Sequence, residues 1–346
     1  MNALSPSLAV SVRAAALAAE SARIDAFVHE HPDGTIFHRP HWSRAVERGT
    51  GQRSHYLVAE RGGAIVGCLP LTAVRSPLFG DALVSSGFGT GGGILGEGGE
   101  TLARAAWALG ASTAELRGGP IPEGWTACEG GYANFARALP GDAEALLASI
   151  PRRQRTEVKR GMTFGLQATA GNDRRHRDAH FRVYAESVRN LGTPVFPKAL
   201  FAAALDEFSD NADIVVAWKD GRPLAALLNF YFKGTCQPYW GGGTGAARQW
   251  RANDFIYYEV MRRAIARGCT RADFGRSKPG TGAHARKKIW GFAETPLVYA
   301  VRTADGATPR QVNPLSPRYR LKIAAWRKLP LWLANRIGPI IARGLG

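Results

Sequence analysis

The segment Asp273-Phe274-Gly275-Arg276-Ser277-Lys278 carries two cations and a hydroxyl where a strand pattern ends. Loops at strand ends concentrate binding side chains, because a rigid sheet presents them. Ser277, Gly280 and Gly282 let the chain wrap closely around a ligand. Arg276, Lys278 and Lys288 are the candidates for stabilising negative charge that develops during a reaction. Asp273 is expected to orient Arg276 by a hydrogen bond and not to act as a base. Lys287 and Lys288 precede Trp290-Gly291-Phe292, which reads as core.

A second cationic group is Pro151-Arg152-Arg153-Gln154-Arg155-Thr156-Glu157-Val158-Lys159-Arg160. Proline is well tolerated in a first helical turn. Arg152, Arg155 and Lys159 then share one helix face, and Arg153, Thr156 and Arg160 the neighbouring one. The helix is either a solvated basic face or a phosphate-binding one, with Arg153, Arg155 and Lys159 on a diphosphate or a tRNA backbone. Tyr239-Trp240 closes a strand into a triple glycine, as core aromatics or as a cleft wall. Asn253 and Asp254 stand at a helix start, where such residues cap the helix or meet an acceptor. His38 and His41 flank Pro40 and are expected to cap or pack.

Other chemistries lack their residues. The four cysteines (Cys68, Cys128, Cys236, Cys269) form no CxxC pair and the eight histidines no HExxH, so no metal is expected. The cysteines read as buried thiols of a reducing compartment. No Ser-His-Asp or Cys-His constellation stands out, which disfavours covalent catalysis.

With 346 residues the chain has room for about two domains. Its net charge is +17, and that charge is local. Residues 151–189 hold ten Lys and Arg against four Asp and Glu; residues 271–288 hold six against one; residues 306–346 hold eight against none. The rest is close to neutral. Two local anion sites and a basic end therefore fit better than a general nucleic-acid coat, and no RNP, KH or helix-turn-helix signature is present. The basic end, from Ser316, mixes Leu321, Leu329 and Leu331 with Lys322, Arg327 and Lys328, and carries Trp326 and Trp332. It is expected to touch the cytoplasmic face of the inner membrane, or else to pack on the protein's own body. The N-terminus lacks a signal-peptide pattern, and no run reaches the length of a membrane span, so a cytoplasmic location is expected.

The elements that must position these residues alternate between strand and helix patterns. A strand is expected over 7–13 and helices over about 20–30 and 100–110. One hairpin turns at Arg61-Gly62-Gly63 and another at Asp220-Gly221. Residues 85–99 are glycine-rich and read as a flexible loop beside a cleft or as a phosphate cradle, though not a P-loop. Helices are expected over 142–160 (broken at Pro151), 174–190, 197–208 and 252–267. Strands are expected at 113–118, 235–240, 270–275 and 296–303, with a basic loop over 276–288. Val58–Gly67 aligns with Val216–Ala225 at an offset of 158 residues, which suggests an internal duplication.

A "VAxxxGxxVG" hairpin on adjacent strands resembles GNAT-type acyltransferases. In that group the next helix opens with Q/R-x-x-G-x-G/A, whose backbone holds the CoA pyrophosphate. Here Gln249-x-x-Ala252-x-Asp254 lacks both glycines. A tandem GNAT pair with such a loop resembles the FemAB family. The pieces FHRPHW (37–42), YAESVRNLGTPVFP (184–197), ANDF (252–255), DFGRSKPGTG (273–282), KKIWGF (287–292) and NPLSPRY (313–319) are similar to its branch associated with PEP-CTERM/exosortase systems. The resemblance covers about residues 30–346.

It implies an α/β (α+β) fold of two tandem GNAT-like domains with mixed, mostly antiparallel sheets: 1–141, 142–310 with the basic helix and cleft loop, and an amphipathic helical tail, 311–346. It implies transfer of an acyl or aminoacyl group to an amine of an anionic, small or lipid-linked envelope or exopolysaccharide precursor. The donor would be aminoacyl-tRNA or acyl-CoA as co-substrate, with no permanently bound cofactor. Lys278, Arg276 and Lys288 would stabilise charge; Arg153, Arg155, Lys159, Tyr239, Asn253, Asp254 and Ser277 would bind substrate. A noncatalytic, membrane-associated scaffold of export machinery is the alternative.

Overall fold

The computed structural model describes residues 9–307 and 317–346. The start of the strand expected at residue 7, the boundary at 310/311 and residues 313–316 of the NPLSPRY motif lie outside the described residues. In chain order the first elements are β1 (Ser11–Ala14), α1 (Leu17–Glu30), α2 (Pro40–Thr50), β2 (Arg53–Arg61), β3 (Ala64–Val74), β4 (Ala82–Ser85), β5 (Leu95–Gly96), α3 (Gly99–Trp107) and β6 (Thr113–Arg117). There follow β7 (Thr126–Ala138), α4 (Ala143–Ser149), α5 (Arg152–Thr163), β8 (Gln167–Gly171), α6 (Arg174–Leu191), α7 (Lys198–Phe208), β9 (Ala212–Lys219), β10 (Arg222–Phe232) and β11 (Thr235–Gly243). The chain ends with α8 (Ala252–Ala266), β12 (Arg271–Ser277), α9 (Gly282–Ile289), β13 (Ala293–Thr303), α10 (Pro317–Lys328) and α11 (Leu331–Ala342).

The described residues form two compact units. Residues up to Cys128, with 298–307 and Gly344–Gly346, make the first; Glu129–Leu297 and 317–343 make the second. The first unit's sheet runs β1-β2-β3-β4-β6-β13, with β5 beside β3. The second unit's sheet runs β8-β9-β10-β11-β12-β7. Each sheet has one parallel pairing, two residues long. In the first unit Leu83 and Val84 pair with Ala114 and Glu115; in the second Thr235 and Cys236 pair with Arg271 and Ala272. The sixth strand of the first sheet, β13, comes from beyond the second unit in sequence, while that of the second sheet, the part of β7 beyond Cys128, opens the second unit's own stretch.

The two hairpins share their details. Gly62-Gly63 and Asp220-Gly221 close two-residue turns with φ of 57°, 81°, 49° and 73°. Positive φ at both central positions suits the twist of the flanking strands. Each hairpin has a bulge: Val66 and Leu224, 158 residues apart, are the extra residues in β3 and β10. Leu224–Tyr231 is buried residue after residue, because α6 and α8 both pack on β10 and cover both of its faces.

Three expectations are corrected. The glycine-rich segment is mostly buried over 85–95 and internally bonded, not a loop open to solvent. Its Gly87 N–H donates to Thr72 Oγ1 (3.0 Å), Gly93 N–H to the Arg117 carbonyl (3.1 Å), and Arg117 donates to the Gly89 carbonyl (2.8 Å). The expected basic loop is helical over Gly282–Ile289, because Thr281 caps it by accepting from His284 N–H (3.3 Å). Finally, 317–343 belongs to the second unit, where α10 and α11 lie on α6. Of the cysteines, three are buried and Cys128 is exposed.

Candidate functional site

The second unit opens where its parallel pair ends. Beyond Cys236 and Ala272 the strands β11 and β12 no longer pair. The facing edge of β11 thus presents backbone groups without β12 as partner, the type of donor that can stabilise an oxyanion. At this point β11 carries a bulge whose extra residue is Tyr239, between Pro238 and Trp240. Bulges re-aim a side chain and interrupt pairing. Trp240 is fixed by His180, whose Nε2 lies 2.8 Å from its carbonyl oxygen. Burial pushes His180 down to about 4, so the imidazole is neutral.

The triple glycine after Trp240 is required by neighbours. A Cβ on Gly242 would lie 2.1 Å from Ser187 Oγ, and one on Gly243 would lie 2.2 Å from Asn253 Oδ1. Gly245 N–H donates to Glu186 Oε1 at 2.7 Å. Glu186 and Ser187 of α6 and Asn253 of α8 therefore gather around the end of β11. The first two lie in the YAES segment but were not singled out in the sequence; only their place beside the glycines reveals them.

On the β12 side the register shifts between Asp273 and Arg276, and Gly275 has φ 65°. Asp273 accepts from Gly275 N–H (2.8 Å) and from Asn134 Nδ2 (3.0 Å), so it shapes the bulge. Lys287, 8% exposed, donates to the carbonyls of Phe274 (2.5 Å), Gly275 (3.0 Å) and Arg276 (3.2 Å). Burial pushes it down to about 8 against the pull of Asp273. Arg276 and Lys278 both lie over the Tyr132 ring, at 4.4 and 5.8 Å from its centroid. Burial lowers Lys278 from its ordinary value. Ser277 is buried, beside Ala133 of β7.

The other expected residues have partners elsewhere or lie exposed. Lys288 is exposed and pairs with Glu294 (3.4 Å); its neighbour Lys287 is the lysine that turns inward. Asp254 accepts from Arg286 (2.9 Å) and from Trp290 Nε1 (3.2 Å), which ties α8 to α9. Neither Asn253 nor Asp254 caps α8, because its N-cap is Arg251 at φ 58°. Arg155 donates to the Ala148 carbonyl (2.9 Å), while Arg153 and Lys159 are exposed on α5. His38 is buried in its own capping box; Asp25, which burial would raise, is held low by Arg39 and His41.

The first turn of α8 is occupied. Arg251, the N-cap, directly precedes Ala252, where a glycine would let a pyrophosphate approach, and its Nε lies 2.7 Å from Glu157 Oε2 of α5. A Cβ on Gly161 of α5 would lie 2.9 Å from Phe255 Cβ and 3.5 Å from the Arg251 carbonyl. The Glu157 carboxylate and α5 thus lie against the turn that would hold a CoA pyrophosphate, and with both glycines missing the fit is poor. Among the described residues no group of three or more His, Cys, Asp or Glu could hold a metal ion.

This arrangement of strand order, splay and bulge agrees with comparison. Residues 148–286 match the acetyltransferase (GNAT) domain family. The second unit has the GNAT fold. The chain as a whole is a GNAT-fold α/β protein, the first unit repeating the order of five strands of the second. It is similar to the crystal structure of FemX (TM-score 0.65, 15% identity, 83% of this chain and 96% of that one). It is also similar to the C-terminal domain of a lysylphosphatidylglycerol synthetase from Agrobacterium fabrum (0.55, 14%, 84% and 93%). A tandem GNAT protein from the clavulanic acid biosynthesis pathway matches at 0.52, 10% identity, over 87% and 100%. No curated protein matches the sequence.

Proposed function

We propose that the protein is an aminoacyltransferase of FemAB type. Its donor is aminoacyl-tRNA, and its acceptor is an amine on an anionic cell-envelope or exopolysaccharide precursor of the PEP-CTERM/exosortase setting. The observation that carries the choice of donor is the Arg251–Glu157 pair over the first turn of α8. A GNAT fold supports acyl transfer, and this pair disfavours a donor held by a CoA pyrophosphate there. A lysylphosphatidylglycerol synthetase domain among the similar structures supports aminoacyl chemistry on an envelope molecule.

In the proposed step a neutral amine attacks the ester carbonyl of the donor. The C–N bond forms, the ester C–O bond breaks, and the ribose hydroxyl leaves with the proton that the amine gives up. The open edge of β11 stabilises the oxyanion, with Arg276 and Lys278 adding positive potential. Alignment supplies much of the rate. The test uses purified protein, envelope extract and either tRNA charged with labelled amino acids or labelled acetyl-CoA. Label passing to an extract component from charged tRNA alone supports the reading; label from acetyl-CoA alone overturns it. No transfer from either favours a scaffold.

A further inference from the structure

We propose that α10 and α11 form a docking surface for an anionic lipid bilayer. The inward side of α11 is a stripe of small buried residues, Ala334, Gly338 and Ala342, four apart. Gly338 sits so close to Val195 that an added Cβ would lie 3.0 Å from it. The opposite stripe, Trp332, Arg336 and Ile340, is also four apart and faces outward. Trp332 is 69% exposed and Ile340 66%. On α10, Leu321 is 83% exposed and is followed by exposed Lys322 and Lys328.

The helices are held in this pose from the other side. Arg327 donates to the Leu191 carbonyl (3.2 Å), and Arg189 donates to the Arg327 carbonyl (3.1 Å). Packing on the body is therefore satisfied by Ile323 against Gly192 and by the small stripe of α11. It leaves the large apolar side chains outside, where burying them against the protein would have stabilised the fold.

Residues 306–346 carry eight Lys and Arg and no Asp or Glu, which complements an anionic surface. A polyanion such as RNA would use the cations and could stack a base on Trp332, but it has no place for the aliphatic Ile340 and Leu321. A bilayer interface takes both, with the apolar side chains at the acyl boundary and the cations at the headgroups. Among the described residues no helix is long and apolar enough to cross a membrane, so the contact is peripheral.

The test is co-sedimentation of the full chain with phosphatidylcholine vesicles with and without phosphatidylglycerol. Binding is expected only with phosphatidylglycerol. Trp332→Ser/Ile340→Ser is expected to weaken it at least about tenfold, with the thermal unfolding temperature unchanged because both side chains face solvent. Lys328→Glu/Arg336→Glu is expected to weaken it comparably. The proposal is overturned if vesicles do not bind, or if Trp332→Ser/Ile340→Ser binds like the parent. It is equally overturned if the same pair abolishes self-association or tRNA binding while vesicle binding persists.

Discussion

Lys287 Nζ lies 3.0 Å from the carbonyl oxygen of Gly275, the left-handed residue at the bulge where β12 leaves β11. The same ammonium also bonds Phe274 and Arg276, so one side chain holds three consecutive carbonyls. All its protons are engaged, which makes it a positioning residue for the strand end that carries Arg276 and Lys278. Lys287→Met is expected to cost about 1–3 kcal/mol of stability, charged hydrogen bonds being lost and desolvation relieved. Transfer should fall more steeply than stability. Lys288→Met should change both little, and denaturant unfolding with an activity assay on each variant checks the contrast.

The same residue makes a pH prediction. Its folded value is about 8 against an ordinary 10.5, so the unfolded chain holds the proton more tightly. Stability of the parent relative to Lys287→Met should rise from pH 8 to 10.5, by about 3 kcal/mol in all, and should be flat below pH 8. Unfolding curves of the two proteins across that range measure it. A difference independent of pH would mean that the ammonium is not desolvated.

Two buried histidines act in the acid range. Burial pushes His38 and His180 each down to about 4 from an ordinary 6.5. The stability each contributes is complete above pH 6.5 and is lost as pH falls through 4, about 3 kcal/mol apiece. His180→Gln should flatten this slope while loosening Trp240, and NMR titration of the imidazoles would show directly whether they stay neutral at pH 5.

Gly242 and Ser187 form a tight pair. Gly242→Ala places a Cβ against the serine side chain and should destabilise by about 1–3 kcal/mol. Ser187→Gly should cost little and, combined with Gly242→Ala, should restore most of the loss. A double-mutant cycle with strong coupling is the expected outcome; simple additivity would show that the two do not touch.

Much of the fold is legible in the sequence. Gly62-Gly63 and Asp220-Gly221 announce their turns because only certain residues take positive φ cheaply, and the hairpin offset follows from them. β7 was not legible. Cys128, Gly130 and Gly131 break its alternation, and its partner Ser277 lies far along the chain. α9 was hidden by Gly280 and Gly282, which read as loop until Thr281 is seen capping. Lys287 and Lys288 stand side by side in the sequence, but adjacent residues differ by about 100° on a helix, and without the helix nothing says which one turns inward. Tyr239 as a cleft residue rested on the glycines after it; the bulge that aims it depends on register, which a single strand's sequence does not carry.

The pair Arg276 and Lys278 over Tyr132 provides the sharpest residue-level check on the reaction. Arg276→Ala and Lys278→Ala should each lower kcat by about 10–100-fold with unfolding little changed, since neither closes the core. Tyr132→Leu should weaken both through the lost ring face.

Single-turnover transfer identifies the donor most directly. Purified protein is mixed with envelope extract and either charged tRNA or acetyl-CoA, each carrying a labelled acyl group, and products are followed by mass spectrometry. The account predicts amide-linked amino acid on an extract component from charged tRNA, lost in Lys278→Ala, and nothing from acetyl-CoA. Acetylation from acetyl-CoA with no transfer from charged tRNA would contradict it.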